Sequence, residues 1–226
     1  MKDEKWLLEK MLEHISENKR NLFDEIIQNR TRHITVALEN IYQPHNASAV
    51  LRSCDCFGVQ DVHIIENNNK YETSRDVEVG STKWLNLIRY NKKENNTLEC
   101  IQTLKSKGYK IMATTPHTSD CEISELDISK PTVLLFGTEL TGISDIAKEN
   151  ADGFVRLPMY GFTESYNISV SAALALYETT ERMRKLEIDW RLTQEEQTTV
   201  KLNWVRKVIK HSAKVEQEIL SRKNQD

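Results

Sequence analysis

The sequence predicts an α/β protein whose mostly parallel sheet carries helices on both faces, and three observations support it. From residue 34 onward, short β-rich apolar runs alternate with segments of helical period. Strands alternating with helices form parallel sheets covered on both sides. Twice between Val133 and Glu178 an apolar run leads into a Gly-containing polar loop and then a helix. Loops that follow buried strands and open helices are where α/β proteins place their ligands.

Residues 3–29 read as one helix, with Leu7, Leu8, Met11, Leu12 and Ile15 at helical spacing and Leu22, Ile26 and Ile27 continuing the stripe. From Ile34 the period changes. ITVALE (34–39), VHIIE (62–66), LNLIRY (85–90), YKIMATT (109–115), TVLLFG (132–137) and FVRLP (154–158) are the expected strands. Helices are expected near 46–57, 94–107, 141–150 and 167–186. The tail, 193–222, reads as a further helical unit. In it Trp204, Val205, Val208 and Ile209 make a narrow apolar stripe, and Lys207, Lys210 and Lys214 line another side. The expected organisation is a helical extension at 1–31, an α/β body at 32–182 and a helical extension at 183–226.

At 226 residues, 38% hydrophobic and 29% charged, the chain suits a soluble, helix-rich globular protein. No apolar run approaches the roughly 20 residues that cross a bilayer, and the chain opens on charged MKDEKW. No membrane association is expected. The four cysteines form no C-x-x-C pair, so free thiols in a reducing cytoplasm are expected, and no metal. The net charge of −3 is unevenly spread: 36–181 holds thirteen Lys/Arg against twenty Asp/Glu, and 182–226 eleven against seven. A basic tail on an acidic body can hold RNA, or it can be a solvated helix face.

Three segments carry chemistry. In Asn40-Ile-Tyr-Gln-Pro-His-Asn46-Ala-Ser-Ala-Val-Leu-Arg52-Ser-Cys-Asp-Cys-Phe-Gly58, Asn46 is a natural N-cap and Gly58 a natural helix stop. Val50, Cys54 and Phe57 would be buried, with Ser48, Arg52 and Asp55 on a polar stripe. Arg52 is either a surface partner of Asp55 or a guanidinium aimed at a phosphate or at developing negative charge.

The second segment, Gly137-Thr-Glu-Leu-Thr-Gly142-Ile143-Ser144, has the glycine spacing of a phosphate loop. Ile143 stands where that loop needs Lys, and Glu139 would repel phosphate, so a nucleoside triphosphatase is excluded. Glu139 is either an acid favoured by a helix N-terminus or a group that orients another side chain. No G-x-G-x-x-G fingerprint follows any strand.

The third segment runs from Leu157-Pro158-Met159-Tyr160 through Ser165-Tyr166-Asn167 to Val170. Ser165 or Asn167 can cap the next helix, where Val170, Leu174 and Tyr177 are expected to pack. The small Ser169, Ala172, Ala173 and Ala175 suit a tight helix contact or dimer seam, or simply favour helix.

Together NIYQPHNASAVLRSCDCFG, LLFGTELTGIS and VRLPMYGFTESYNISVSAALALYE resemble, in order and spacing, the three motifs of the SPOUT RNA methyltransferases. The SpoU/TrmH branch, which methylates ribose 2′-hydroxyls, is the nearest likeness, over about residues 36–182. The flanking helices also look like those of its tRNA guanosine methyltransferases. The resemblance implies a C-terminal deep trefoil knot, a rare exception to un-knotted topology. It also implies bound S-adenosylmethionine, a homodimer and a tRNA substrate, with guanosine 18 of the D-loop as the target. The alternatives are a ribosomal RNA 2′-O-methyltransferase and a non-catalytic RNA-binding protein.

Carried over by motif, Asn46, Arg52, Glu139, Ser165 and Asn167 would be catalytic. Thr114, Gly137, Leu157 and Tyr166 would contact the cofactor, while Lys207, Lys210 and Lys214 would grip RNA phosphates. Two positions depart from the family pattern. Thr138 stands where Asn or Gln is usual, and Tyr166 replaces a Leu.

Overall fold

Among the described residues seven parallel strands form one sheet; numbered β1 to β7 along the chain with the ranges given below, they stand in the order β3-β2-β1-β6-β4-β7-β5. The structure is a computed structural model that describes residues 2–41, 43–68, 80–116, 120–138 and 141–223, with Lys2 and Ser81 described by backbone alone. The strands are β1 (Ile34–Glu39), β2 (Asp61–Ile65), β3 (Asn86–Tyr90), β4 (Lys110–Thr114), β5 (Cys121–Glu122), β6 (Thr132–Phe136) and β7 (Gly153–Arg156). Side chains alternate along them and divide the core in two. Ile34, Val36 and Leu38 of β1 and Leu134 and Phe136 of β6 face one layer, while Ala37, Val133 and Leu135 face the other.

The first layer holds helices α3 (Pro44–Cys56) and α6 (Ile168–Lys185), and the second α4 (Asn96–Ser106) and α5 (Asp145–Asn150). This α/β body is one compact unit, Thr31–Trp190. It continues past Arg182, with Met183 and Trp190 buried in the first layer.

Several local expectations are corrected. Helix α3 begins two residues before Asn46: Gln43 is the N-cap and Pro44 opens the helix with the φ its ring imposes. Asn46 is therefore buried inside the first turns, at 3% exposure. Gly58 ends α3 with φ 81°, Val50 and Cys54 are fully buried, and Phe57 is only partly covered. Val170, Leu174 and Tyr177 face outward on α6, and the small Ala172 and Ala175 pack inward. Close approach to α3 demands small residues on that side. The two-residue β5 had no periodic signal to announce it.

The second compact unit joins both chain ends, Met1–Arg30 with Arg191–Asp226. The expected helix over 3–29 is two, α1 (Lys2–Leu12) and α2 (Glu17–Ile27), with Ser16 extended between them. In an unbroken helix Phe23 and Ile27 would point about a third of a turn away from Leu7, Leu8 and Met11. The break lets both sets be buried. The tail is also two helices, α7 (Gln194–Val208) and α8 (Ser212–Lys223). Ile209 is extended and His211 left-handed at φ 58° between them.

A capping box starts α7: Thr193 N–H donates to Glu196 Oε2 at 2.8 Å, and Glu196 N–H to Thr193 Oγ1 at 3.3 Å. Trp204 is the hub, edge-on to Phe23 at 5.4 Å and under the Arg30 guanidinium at 5.4 Å. Arg206 grips both carboxylate oxygens of Glu216 at 2.8 and 2.6 Å, tying α8 to α7.

Candidate active site

The carboxyl ends of β4, β6 and β7 surround a cavity of about 510 Å³, a size typical of small-molecule sites. Thr114, Gly137, Leu157, Ser165, Tyr166 and Asn167 all line it. Thr114 ends β4 and donates from Oγ1 to the Leu135 carbonyl at 3.0 Å, fixing its rotamer.

Gly137 opens a loop that closes on itself. Thr138 and Gly142 exchange backbone hydrogen bonds of 2.9 and 3.0 Å, and the Thr138 and Thr141 hydroxyls meet at 2.7 Å. A Cβ on Gly137 would lie 2.1 Å from the Gly142 carbonyl oxygen, so no side chain fits there. Gly142 turns the chain at φ 67°, which glycine adopts without steric cost. The expected catalytic Glu139 lies outside the described residues.

The third loop ends at Asn167, which caps α6. Its Oδ1 accepts from Ser169 N–H at 2.9 Å and from Ser169 Oγ at 2.6 Å. Its Nδ2 donates to Asn46 Oδ1 at 3.3 Å, and Asn46 Nδ2 donates to Gln43 Oε1 at 2.9 Å. The first and third sequence segments therefore meet at this lip of the cavity. The Tyr166 hydroxyl donates to the Pro158 carbonyl at 3.2 Å, clasping the two ends of the loop. Between them Tyr160 and Phe162 project fully into solvent.

Arg52 is exposed on α3, about 9 Å along the axis from Asn46, and does not line the cavity. Lys207, Lys210 and Lys214 belong to the helical unit and are exposed. They do not share one helix face, because the break at 209–211 separates Lys214 from Lys207. Two cations stand in the cavity wall: Lys148, 2.9 Å from Asp145, and Arg156, 3.1 Å from Glu122. Lys148 holds the Asp145 carboxyl below its usual range. A wall that combines hydroxyl and amide groups with Phe136, Leu157 and Ile143 suits a ligand that is part apolar ring and part polar.

One residue went unremarked in the sequence. Glu39 ends β1 at 1% exposure. Its carboxylate accepts from Ser144 N–H at 2.9 Å, Ser144 Oγ at 2.6 Å and Thr97 Oγ1 at 2.6 Å. A charge closing an otherwise apolar strand was the available signal.

A parallel α/β body with three loops converging on a cavity beyond its strand ends is the architecture of a small-ligand enzyme. The model of the SpoU rRNA Methylase family matches residues 33–177, and the chain belongs to that family. A tRNA (guanosine(18)-2′-O)-methyltransferase of Borreliella burgdorferi is 39% identical over 92% of this chain and 93% of its own. Its Thermus thermophilus counterpart is 34% identical over 85% and 98%. Among solved structures, the A. aeolicus TrmH/SpoU tRNA modifying enzyme superposes with TM-score 0.74 at 29% identity, over 86% of this chain and 98% of that one. The SpoU methyltransferase AviRb of Streptomyces viridochromogenes, solved with AdoMet, shares the fold at TM-score 0.60 and 24% identity, over 71% of this chain and 61% of that one.

Proposed function

We propose that the chain methylates the ribose 2′-hydroxyl of guanosine 18 in the D-loop of tRNA, using S-adenosylmethionine. The observation that carries this reading is the Asn46–Asn167 contact at the lip of a cavity lined by the other motif residues, in a chain whose relatives of matching length bear that activity in their names.

The cavity fits the cofactor. Gly137 leaves a bare backbone where any Cβ would collide, and the lining adds apolar surface from Leu157 and Tyr166 to the hydroxyls of Thr114 and Ser165. In this reading Thr114, Gly137, Leu157 and Tyr166 hold the cofactor, which supplies an electrophilic methyl group on a sulfonium. Asn46, Glu139, Ser165 and Asn167 orient the ribose and neighbouring loops. Holding reactants in a near-attack arrangement contributes roughly 7–11 kcal/mol. The Arg52 guanidinium presents N–H donors and no acceptor, so it is a poor base. Its planar guanidinium instead stabilises the alkoxide that develops on the 2′-oxygen, while a substrate phosphate takes the proton.

The same reading assigns the chain a deep trefoil knot, as its resemblance to the SPOUT methyltransferases implies. It also assigns a homodimer seated on the outward stripe of Val170, Leu174 and Tyr177, which are 42–57% exposed on α6. Lys207, Lys210 and Lys214 grip tRNA phosphates from the helical extensions, 32–182 performs the transfer, and the enzyme works in the cytoplasm.

Incubation with methyl-labelled cofactor and tRNA transcripts tests the function. Label is expected on a tRNA carrying guanosine 18 and absent when that ribose is 2′-deoxy. Label on ribosomal RNA alone would replace the substrate, and label on a base would overturn the reaction. Failure to bind the cofactor by calorimetry would leave a non-catalytic RNA-binding protein.

A further inference from the structure

We propose that Glu39 is a positioning residue for the cofactor pocket, holding the second loop at its working height over the sheet; this rests on the cofactor reading above. Glu39 is the last residue of β1, an inner strand that also launches the segment leading to Asn46 and Arg52. Its side chain points to the α4–α5 layer and ends against Ser144, one residue beyond Ile143 in the cavity wall. Two donors from one residue, the Ser144 backbone N–H and hydroxyl, converge on the two carboxylate oxygens at 2.9 and 2.6 Å. The third donor, Thr97 Oγ1 at 2.6 Å, comes from α4, none of whose residues lines the cavity.

A buried carboxylate accepting three hydrogen bonds has strong, directional preferences, and an unmet buried donor is costly. An apolar residue here would leave Ser144 N–H and Thr97 without their acceptor. The neighbouring Asn40 extends the anchor: left-handed at φ 53°, it accepts from Asn67 N–H at 2.8 Å and Asn68 N–H at 3.1 Å through Oδ1. Glu39 and Asn40 thus fasten the loops after β6 and β2 to the end of β1. The loop from Gly137 to Gly142 closes on itself by the Thr138–Gly142 pair. Fixing Ser144 sets where that closed loop rests. Glu39 itself lines no part of the cavity, so its effect belongs to cofactor affinity rather than to the chemical step.

Glu39→Gln and Thr97→Val separate this role from general stability. Glu39→Gln replaces one of the two acceptor oxygens by an amide donor and so opposes one of the two Ser144 donors, and Thr97→Val removes a bond to the same carboxylate from a helix that does not line the cavity. The full-length Glu39→Gln protein is expected to bind S-adenosylmethionine at least about tenfold more weakly by calorimetry. Its KM for the cofactor should rise in parallel, with kcat at saturation and KM for tRNA within about twofold of wild type. Thr97→Val is expected to keep wild-type cofactor affinity. Backbone exchange at Gly142, Ile143 and Ser144 should quicken in Glu39→Gln without any cofactor present.

Equal loss of affinity in both variants, or a fall in kcat with unchanged KM, overturns the proposal. If Glu39→Gln does not fold, Ser144→Ala carries the test through a several-fold loss of affinity, and unchanged affinity there overturns it. A wild-type protein that does not bind S-adenosylmethionine overturns the cofactor reading and the positioning role together. Faster exchange in Glu39→Gln would then mark a loop anchor alone.

Discussion

Asn167 donates from Nδ2 to Asn46 Oδ1 at 3.3 Å, joining residues 121 positions apart, while its Oδ1 caps α6. One amide thus serves two purposes that substitution can separate. Asn167→Asp keeps a good N-cap and loses the donor, so thermal stability should stay near wild type while methyl transfer falls on the order of 10²-fold. Asn167→Ala should lose activity and, in addition, about 1 kcal/mol of stability. Urea titration beside a label-transfer assay separates the two.

Arg52→Lys keeps the charge and discards the planar fork. Its kcat is expected to fall about 10²- to 10³-fold, with cofactor affinity unchanged because Arg52 does not line the cavity. Single-turnover methylation reads the first quantity and calorimetry the second. Near-normal turnover would show that charge alone suffices.

Gly137→Ala places a methyl group 2.1 Å from the Gly142 carbonyl oxygen. The loop must open to admit it, breaking the Thr138–Gly142 pair. A loss of about 1–3 kcal/mol of stability is expected, with S-adenosylmethionine binding abolished in the calorimeter. Retained binding would mean the loop shape is not what the cofactor needs.

Tyr166→Phe tests the clasp across the third loop. Removing the hydroxyl loses one partly exposed bond to the Pro158 carbonyl, worth about 0.5–1.5 kcal/mol. The expected result is a cofactor Kd raised about two- to tenfold with kcat preserved. A wild-type Kd would assign the hydroxyl no part in shaping the loop.

Acid stability should report on His63. Burial pushes its imidazole down to about 4 from 6.5, with Nδ1 3.2 Å from the Tyr90 hydroxyl. The unfolded chain takes up the proton near pH 6.5, and the folded protein resists until about 4. Its contribution is therefore complete above pH 6.5 and is lost as pH falls toward 4, about 3 kcal/mol in all. His63→Gln should flatten that part of the profile, measured as urea midpoints at pH 7 and pH 4.5. Equal acid loss in both proteins would place the sensitivity elsewhere.

The strands were legible because each is a short apolar run, and ITVALE forms β1 at 34–39 as read. Gly58 was legible as a helix stop for a local reason, its left-handed φ. The start of α3 was misread because Asn46 is a better cap by type, whereas Pro44 fixed the geometry earlier. The outward face of α6 depends on α3 lying against its alanines, which no period within 168–185 reveals. Glu39 was hidden for the same reason: its partners stand 58 and 105 residues away. The loops around the cavity could be marked from glycine and polar content. The closeness of Gly137 to Gly142 could not.

The placement of β6 between β1 and β4 has a consequence for synthesis on the ribosome. When the first hundred residues have emerged, β1 can pair with β2 on one side only; its other edge waits for residues 132–136. The lip contact waits longer, until Asn167 leaves the exit tunnel. The nascent body therefore carries an open, apolar strand edge from the completion of β1 at residue 39 until β6 emerges at 132–136. Its ligand cavity is among the last features to form, which argues for slow folding dominated by distant pairings.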